Sequence, residues 1–257
     1  MTPRQNGRGY GLVEFAAVDT AAAASGPLDV ATAREAVHET CLQMVAAGLV
    51  IASSGNVSRR VDEHRFVVTA AGVPYGRLTA ADHPVVDLDT GAWEGPCRPT
   101  SELALHRALL GAHRDVGAVV HTHSLYAAAF AVARLELPFI CNESLATRAE
   151  RVLVTEYAPP GSVDLGAETL AAFARQPGSR AVLLANHGVV AVGPTLDDAF
   201  TVAHSVEWTA QICHLARTLV AAGTGETVLD HDVRAAIARN YGVTIARRPA
   251  GADLDEM

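Results

Sequence analysis

Two histidines stand two residues apart at the end of an apolar run, Gly117-Ala118-Val119-Val120-His121-Thr122-His123. Alternate residues of a strand face the same side, so the run predicts two imidazoles converging at a strand end. A third, His187, stands in Asn186-His187-Gly188, between the predicted strands Ala181-Val182-Leu183-Leu184 and Val189-Val190-Ala191-Val192. Three neutral imidazoles that leave one coordination position open form a donor set suited to catalytic zinc. Packing alone can also put His-x-His in a strand. The reading as a metal site rests on the third histidine and on a candidate carboxylate, Glu102. A glutamate at a helix start ordinarily serves the helix dipole. Beside a metal it can ligate instead, or act as a base once substrate takes its place.

Small polar segments supply the next element. Ser53, Ser54, Gly55 and Asn56, together with Gly72 and Thr100-Ser101, offer hydroxyls and unhindered backbone N–H groups. Such nests suit a phosphate, above all beside a helix N-terminus. Each one singly is also what an ordinary turn or cap looks like.

The elements that must position these groups follow from periodicity. Asp29 is an N-cap residue, and Val30, Ala33, Val37, Cys41, Met44 and Val45 recur at three- and four-residue spacing, predicting a helix that Gly48 ends. Ser53 to Ser58 reads as a polar loop, Arg65 to Thr69 as a strand, and Val85 to Leu88 as another, closed by Asp89-Thr90-Gly91. Thr100-Ser101-Glu102 opens a helix whose apolar face is Leu105, Leu109 and Leu110; further helices run from Ser124 to about Ala133, from Asp164, and from about Leu196 to Ala222. Val152 to Thr155 is a further strand. Strands and helices mix without strict alternation, which favours a helix-flanked, mainly antiparallel sheet. His38, His64, His83 and His113 lack metal-ligand spacing and read as surface or packing histidines.

Composition bounds the partners. The 257 residues are 49% hydrophobic, enough for one sizeable core, and no linker-like run divides them. The expected organisation is a tail at 1–28, one catalytic domain at 29–246 and a loose polar tail at 247–257. A net charge of −8 argues against nucleic acid as a partner, though not against a small anion met by local donors and a metal. Cys41, Cys97, Cys141 and Cys213 form no framework, no stretch is long and apolar enough for a membrane span, and the N-terminus lacks a signal-peptide core, so the expectation is a cytoplasmic protein.

With these motifs in view, the chain resembles the class II aldolase/adducin family, and most closely its L-fuculose-1-phosphate aldolase branch. The resemblance runs from about Ala31 to Tyr241. It is carried by Ser54-Gly55-Asn56-Val57-Ser58, Thr69-Ala70-Ala71-Gly72-Val73-Pro74-Tyr75, Pro99-Thr100-Ser101-Glu102, His121-Thr122-His123-Ser124 and Asn186-His187-Gly188. It implies that His121, His123 and His187 hold zinc, and that Glu102 completes the shell and serves as acid and base. It implies a phosphate site at Ser53, Asn56, Gly72, Thr100 and Ser101. It also implies a three-layer α/β/α fold around a central, mainly antiparallel sheet, and a homotetramer with sites between subunits. Tyr241 matches a C-terminal tyrosine that closes over the site. Two departures stand out. Asn142 occupies the place of a proton-donating tyrosine, with Glu143 beside it where related methylthioribulose-phosphate dehydratases have a catalytic glutamate. Ala158-Pro159-Pro160-Gly161 replaces an aromatic that lines the aldehyde pocket.

The activity this implies is zinc-dependent, reversible cleavage of a ketose 1-phosphate to dihydroxyacetone phosphate and a small aldehyde. Glu143 or Tyr241 would serve the aldehyde end. The rivals are a dehydratase, a 4-epimerase or a decarboxylase on the same scaffold, and, from another class, a non-catalytic adducin-like module. The last of these expects missing metal ligands, and all of them are present.

Overall fold

The computed structural model describes residues 28–219 and 228–246. Among these, seven strands form one sheet: β1 (Asn56–Arg60), β2 (Arg65–Val68), β3 (Val85–Asp87), β4 (Trp93–Glu94), β5 (Ala118–Thr122), β8 (Ala181–Leu184) and β9 (Gly188–Gly193). Their order is β4-β3-β2-β1-β5-β9-β8, with every neighbouring pair antiparallel. A separate two-stranded ribbon pairs β6 (Leu137–Pro138) with β7 (Arg151–Val152). The helices are α1 (Val30–Ala46), α2 (Leu103–Ala112), α3 (Leu125–Ala133), α4 (Val163–Arg175), α5 (Leu196–Leu219) and α6 (His231–Asn240).

Successive strand residues divide between two cores. Val57, Val67, Val120, Ala191 and Leu183 pack with Val37 and Met44 of α1, Phe130 of α3, and Val202 and Val206 of α5. Their neighbours along the strands, Val68, Val119, Val190, Val182 and Leu184, pack on the other side with Leu105 and Leu109 of α2 and Leu165 and Phe173 of α4. Helices therefore cover both faces, giving the three-layer α/β/α arrangement that the family resemblance implies. A sheet buried on both faces loses polar alternation, which is why β5, β8 and β9 read as continuous apolar runs. Each buried valine or leucine adds about 1.5–3 kcal/mol.

The helix starts show how the chain meets its unpaired amides. Asp29 caps α1, accepting from Thr32 N–H at 3.3 Å. Ser162 caps α4 by accepting from Leu165 N–H, so this helix begins just before the predicted Asp164. Ser124 makes no side-chain cap. The first turn of α3 is held instead by Glu207 of α5, whose carboxylate accepts from Tyr126 N–H and Ala127 N–H, both at 2.9 Å.

The structure corrects one element that matters to the site. Asn56 to Ser58 is the start of β1, at the centre of the sheet, and not part of a loop. Its polar side chains hid it: Ser58 is fully buried and Arg60 reaches backbone oxygens of Leu110 and Val116. Buried polar groups are tolerable where each finds a partner. Helix α6, β4 and β6 have no counterpart in the sequence reading, and the strand expected at Val152 to Thr155 appears as β7 with a single bridge from Val154 to Leu183. The expected helical residues 220–222 and tails 1–27 and 247–257 lie outside the described residues. Leu28 is described, and donates its N–H to Val61 O. No helix among the described residues is long and apolar enough to cross a membrane.

Candidate metal centre

The register of the sheet's centre assembles the site. Asn56 of β1 lies opposite His121 of β5, and His121 lies opposite Val190 of β9. His123 follows the last residue of β5, while His187 sits in the turn from β8 into β9. That turn needs Asn186 at φ 54°, a left-handed conformation that asparagine tolerates. It also needs Gly188, because a Cβ there would collide with the carbonyl of Thr122. Gly55 keeps the approach to β1 equally close: a Cβ would lie 2.7 Å from the His121 carbonyl oxygen. Both glycines thus let neighbouring backbone run tight against the histidine strand.

Glu102 is the residue just before α2, with φ −97°, and its side chain makes no cap hydrogen bond. It turns inward. Oε2 lies 3.0 Å from His121 Nε2, and Oε1 lies 3.2 Å from His187 Nε2. His121 Nε2 and His123 Nε2 are 3.0 Å apart. The three rings stand edge to face, with centroids 4.7–4.8 Å apart. One ligand atom from each of Glu102, His121, His123 and His187 lies within 4.8 Å of all the others.

Hydrogen bonding fixes which nitrogens point inward. His121 Nδ1–H donates to Val189 O at 2.8 Å, so the neutral ring presents a lone pair at Nε2. That lone pair faces a carboxylate oxygen and another imidazole nitrogen. Oε1 of Glu102 is buried without a hydrogen-bond donor, as is Nδ1 of His187. Burial opposes charge on His121, yet Glu102 beside it outweighs burial and raises this histidine above its ordinary value. Burial likewise opposes ionisation of Glu102, but His121, with the Asn56 hydrogen bond, holds the carboxyl far below the usual range. His123 and His187 are pushed down to about 4, by burial first and then by His121.

A divalent cation fits this donor set. Tetrahedral ligation at about 2.0–2.1 Å separates neighbouring ligand atoms by roughly 3.3 Å, close to the 3.0–3.2 Å of three of the pairs here, the whole set lying within 4.8 Å. The cation would also meet the orphaned Oε1.

The residues expected at a phosphate are split in exposure. Asn56 and Thr100 are buried, whereas Ser53, Gly72 and Ser101 are exposed. Asn56 Nδ2 donates to Glu102 Oε2 at 2.8 Å, so part of its amide already serves the carboxylate. Thr100 Oγ1 accepts from Glu102 N–H. The segments are stitched together: Ala70 bridges Pro99, and buried Tyr75 donates its hydroxyl to Gly55 O at 2.6 Å. Glu143 and Tyr241 are elsewhere. Both are exposed and line an open cavity of about 560 Å³ with Arg148, Arg180, Asp197 and Asp198, to which none of the four cluster residues contributes. His106, which sequence reading passed over, is fully buried beside Asn56. Its signal was the Glu102-x-x-x-His106 spacing, about one helical turn apart. Of the histidines read as surface or packing, His83 is buried against His38, and His64 is exposed.

Comparison with known proteins shows the family. The model of the class II aldolase and adducin N-terminal domain matches residues 35–214. The chain is 33% identical over 187 residues to the 5-deoxy-D-ribulose 1-phosphate aldolase of Bacillus thuringiensis serovar kurstaki, covering 72% of this chain and 86% of that one. It is 31% identical over 176 residues to the L-fuculose phosphate aldolase of Escherichia coli, covering 68% and 80%. A solved L-fuculose 1-phosphate aldolase superposes with a TM-score of 0.75 at 27% identity, covering 82% of this chain and 96% of its own. The chain belongs to the class II aldolase and adducin N-terminal domain family.

Proposed function

We propose that this protein catalyses reversible aldol cleavage of a ketose 1-phosphate, giving dihydroxyacetone phosphate and a small aldehyde. The observation that carries the reading is the inward-facing set Glu102, His121, His123 and His187, with Oε1 of Glu102 lacking a hydrogen-bond donor. The names of the relatives, deoxyribulose- and fuculose-phosphate aldolases, support the substrate class. Residues 29–246 act as one catalytic domain in this reading, and the resident metal is zinc. Held by these four residues, zinc supplies Lewis-acid polarisation of the substrate carbonyl.

The chain's own groups bind the substrate and move its protons. Ser53, Asn56, Gly72, Thr100 and Ser101 receive the phosphate through hydroxyls, amide and backbone donors beside the start of α2. A base takes the proton of the C4 hydroxyl, the C3–C4 bond breaks, and its electrons pass into the enediolate of dihydroxyacetone phosphate. Glu102, ionised in the free protein, leaves the cluster as substrate oxygens enter, takes up the proton of the incoming substrate hydroxyl and returns it to C3 through Oε1. Glu143 or Tyr241 serves the aldehyde end. Their cavity is separate from the cluster within one chain, which favours a homotetramer in which the cavity of one subunit faces the cluster of the next.

The test is product analysis of zinc-loaded protein with a panel of ketose 1-phosphates, together with solvent-deuterium exchange into dihydroxyacetone phosphate. Native protein exchanges deuterium, while Glu102→Gln does not. Release of water with no aldehyde, or no exchange by native protein at any aldehyde concentration, overturns the aldolase reading.

A further inference from the structure

The polar strand β1 carries a second feature that the metal ligands do not account for. Asn56 and Ser58 share the sheet face covered by α2, and His106 stands one turn along α2 from Glu102. Ser58 and His106 are completely buried, and Asn56 and Glu102 are each 5% exposed. Three hydrogen bonds join them in a line. Ser58 Oγ is 2.7 Å from His106 Nδ1, His106 Nε2 is 2.5 Å from Asn56 Oδ1, and Asn56 Nδ2 is 2.8 Å from Glu102 Oε2.

The chemistry of the four groups gives this line one direction. The Glu102 carboxylate only accepts, so the Asn56 amide must present its NH2 to Oε2. A flipped amide would set its oxygen against the carboxylate. Asn56 Oδ1 then faces His106 and can only accept, which requires the proton on His106 Nε2. His106 Nδ1 is left as a lone pair, and the Ser58 hydroxyl donates to it. Every donor points toward Glu102, an arrangement in which each hydrogen bond polarises the next. Burial suits this role, since it pushes His106 down to about 3 and keeps the ring neutral with one donor and one acceptor.

We propose that His106 is a positioning residue: with Ser58 behind it, it locks the Asn56 amide so that Glu102 is held through Oε2 while Oε1 is left to the metal or to a proton in transit. This rests on the reading of Glu102 as metal ligand and proton carrier. It also reassigns most of the Asn56 side chain from phosphate to Glu102, leaving one amide N–H for the substrate.

Two variants separate positioning from mere packing. Gln at position 106 can offer an N–H near the place of Nε2, whereas Leu fills the space and offers none. His106→Leu should bind Zn²⁺ about 10- to 100-fold more weakly in competition with a chromogenic chelator, the range for removing an outer partner of a metal ligand. Deuterium exchange into dihydroxyacetone phosphate should fall by a similar factor with little change in KM, and His106→Gln should recover the larger part of both losses. Nitrogen-15 spectra of native protein should show His106 protonated at Nε2 and not at Nδ1. A folded His106→Leu with native zinc affinity, a His106→Gln as impaired as His106→Leu, or a native ring protonated at Nδ1 overturns the proposal. If the leucine variant does not fold, Ser58→Ala replaces it: weaker zinc binding in that variant supports the line, and native affinity refutes it. The tautomer and zinc measurements need no turnover, so they decide the proposal even where the aldol reaction itself is not found.

Discussion

The clearest quantitative expectation concerns the start of α3, which follows His123 after a single residue. Ser124 makes no cap, and Glu207 from the neighbouring α5 supplies one, accepting from Tyr126 N–H and Ala127 N–H at 2.9 Å each. Hydrogen bonds to a charged acceptor contribute about 1.5–3 kcal/mol each. Glu207 is only half-buried, so the lower figure applies and Glu207→Ala should cost about 3 kcal/mol. A chain of this size shifts by roughly 2 °C per kcal/mol, so Tm should fall by about 6 °C. Glu207→Gln keeps one carbonyl acceptor but loses the charge and should lose about half as much. Because the freed turn adjoins His123, zinc affinity should fall along with Tm. Scanning calorimetry of the zinc-loaded protein and a chelator titration measure the two effects. A Glu207→Ala variant melting within about 1 °C of native would refute the capping argument. A normal fall in Tm with native zinc affinity would refute only its link to the metal centre.

Two further outcomes are expected. Ser101→Ala should raise KM for a phosphorylated ketose while leaving zinc content unchanged, because the residue is exposed beside Glu102 and no hydrogen bond ties it to the ligands; equal processing of an unphosphorylated ketose by native protein would remove the phosphate site. Burial, then His38, pushes His83 from the usual 6.5 down to about 4, with Asp82 pulling the other way and Arg34 adding to the depression. The unfolded chain therefore binds the extra proton between those values, so stability falls as pH drops from 6.5 toward 4. His83→Asn, whose carbonyl oxygen can replace Nδ1 in accepting from Ala70 N–H, should reduce the loss between about pH 7 and about pH 5 by about 2 kcal/mol in urea unfolding. An unchanged pH dependence would contradict the buried neutral ring.

Much of the scaffold was legible because its residues obey short-range rules. The helices α1, α3, α4 and α5 show either three- and four-residue spacing or a capping residue, and β5, β8 and β9 are apolar runs bounded by turns. Strand β1 broke the pattern. Its polar residues look like a loop until the partners that satisfy them are known, and those partners, Glu102, His106 and Val116, come from α2 and the residues flanking it, far away in sequence. Helix α6 lacked a clean apolar stripe: only Ala238 is buried along its length.

The site divides along the same line. His121 and His123 share a strand end and His187 lies in a hairpin turn, so local geometry made them candidates, and only their combination with Glu102 pointed to metal chemistry. Glu102 remained ambiguous, since a helix-start carboxylate serves a dipole as readily as a cation. The structure shows what the sequence leaves open: the residue stands just outside α2, where its side chain makes no cap hydrogen bond and lies against the imidazoles. His106 was invisible for a related reason. A histidine on an apolar helix face reads as packing, and what distinguishes it is the polar strand that lies beneath. The two oversights are one. Reading β1 as a loop removed the surface on which Ser58, His106 and Asn56 meet, and with it the support that holds the carboxylate in place. A strand at the centre of a sheet can carry asparagine and serine only where neighbouring elements satisfy them. A polar strand between two apolar ones is thus itself a signal of a functional site, legible once the pairing order of the sheet is known.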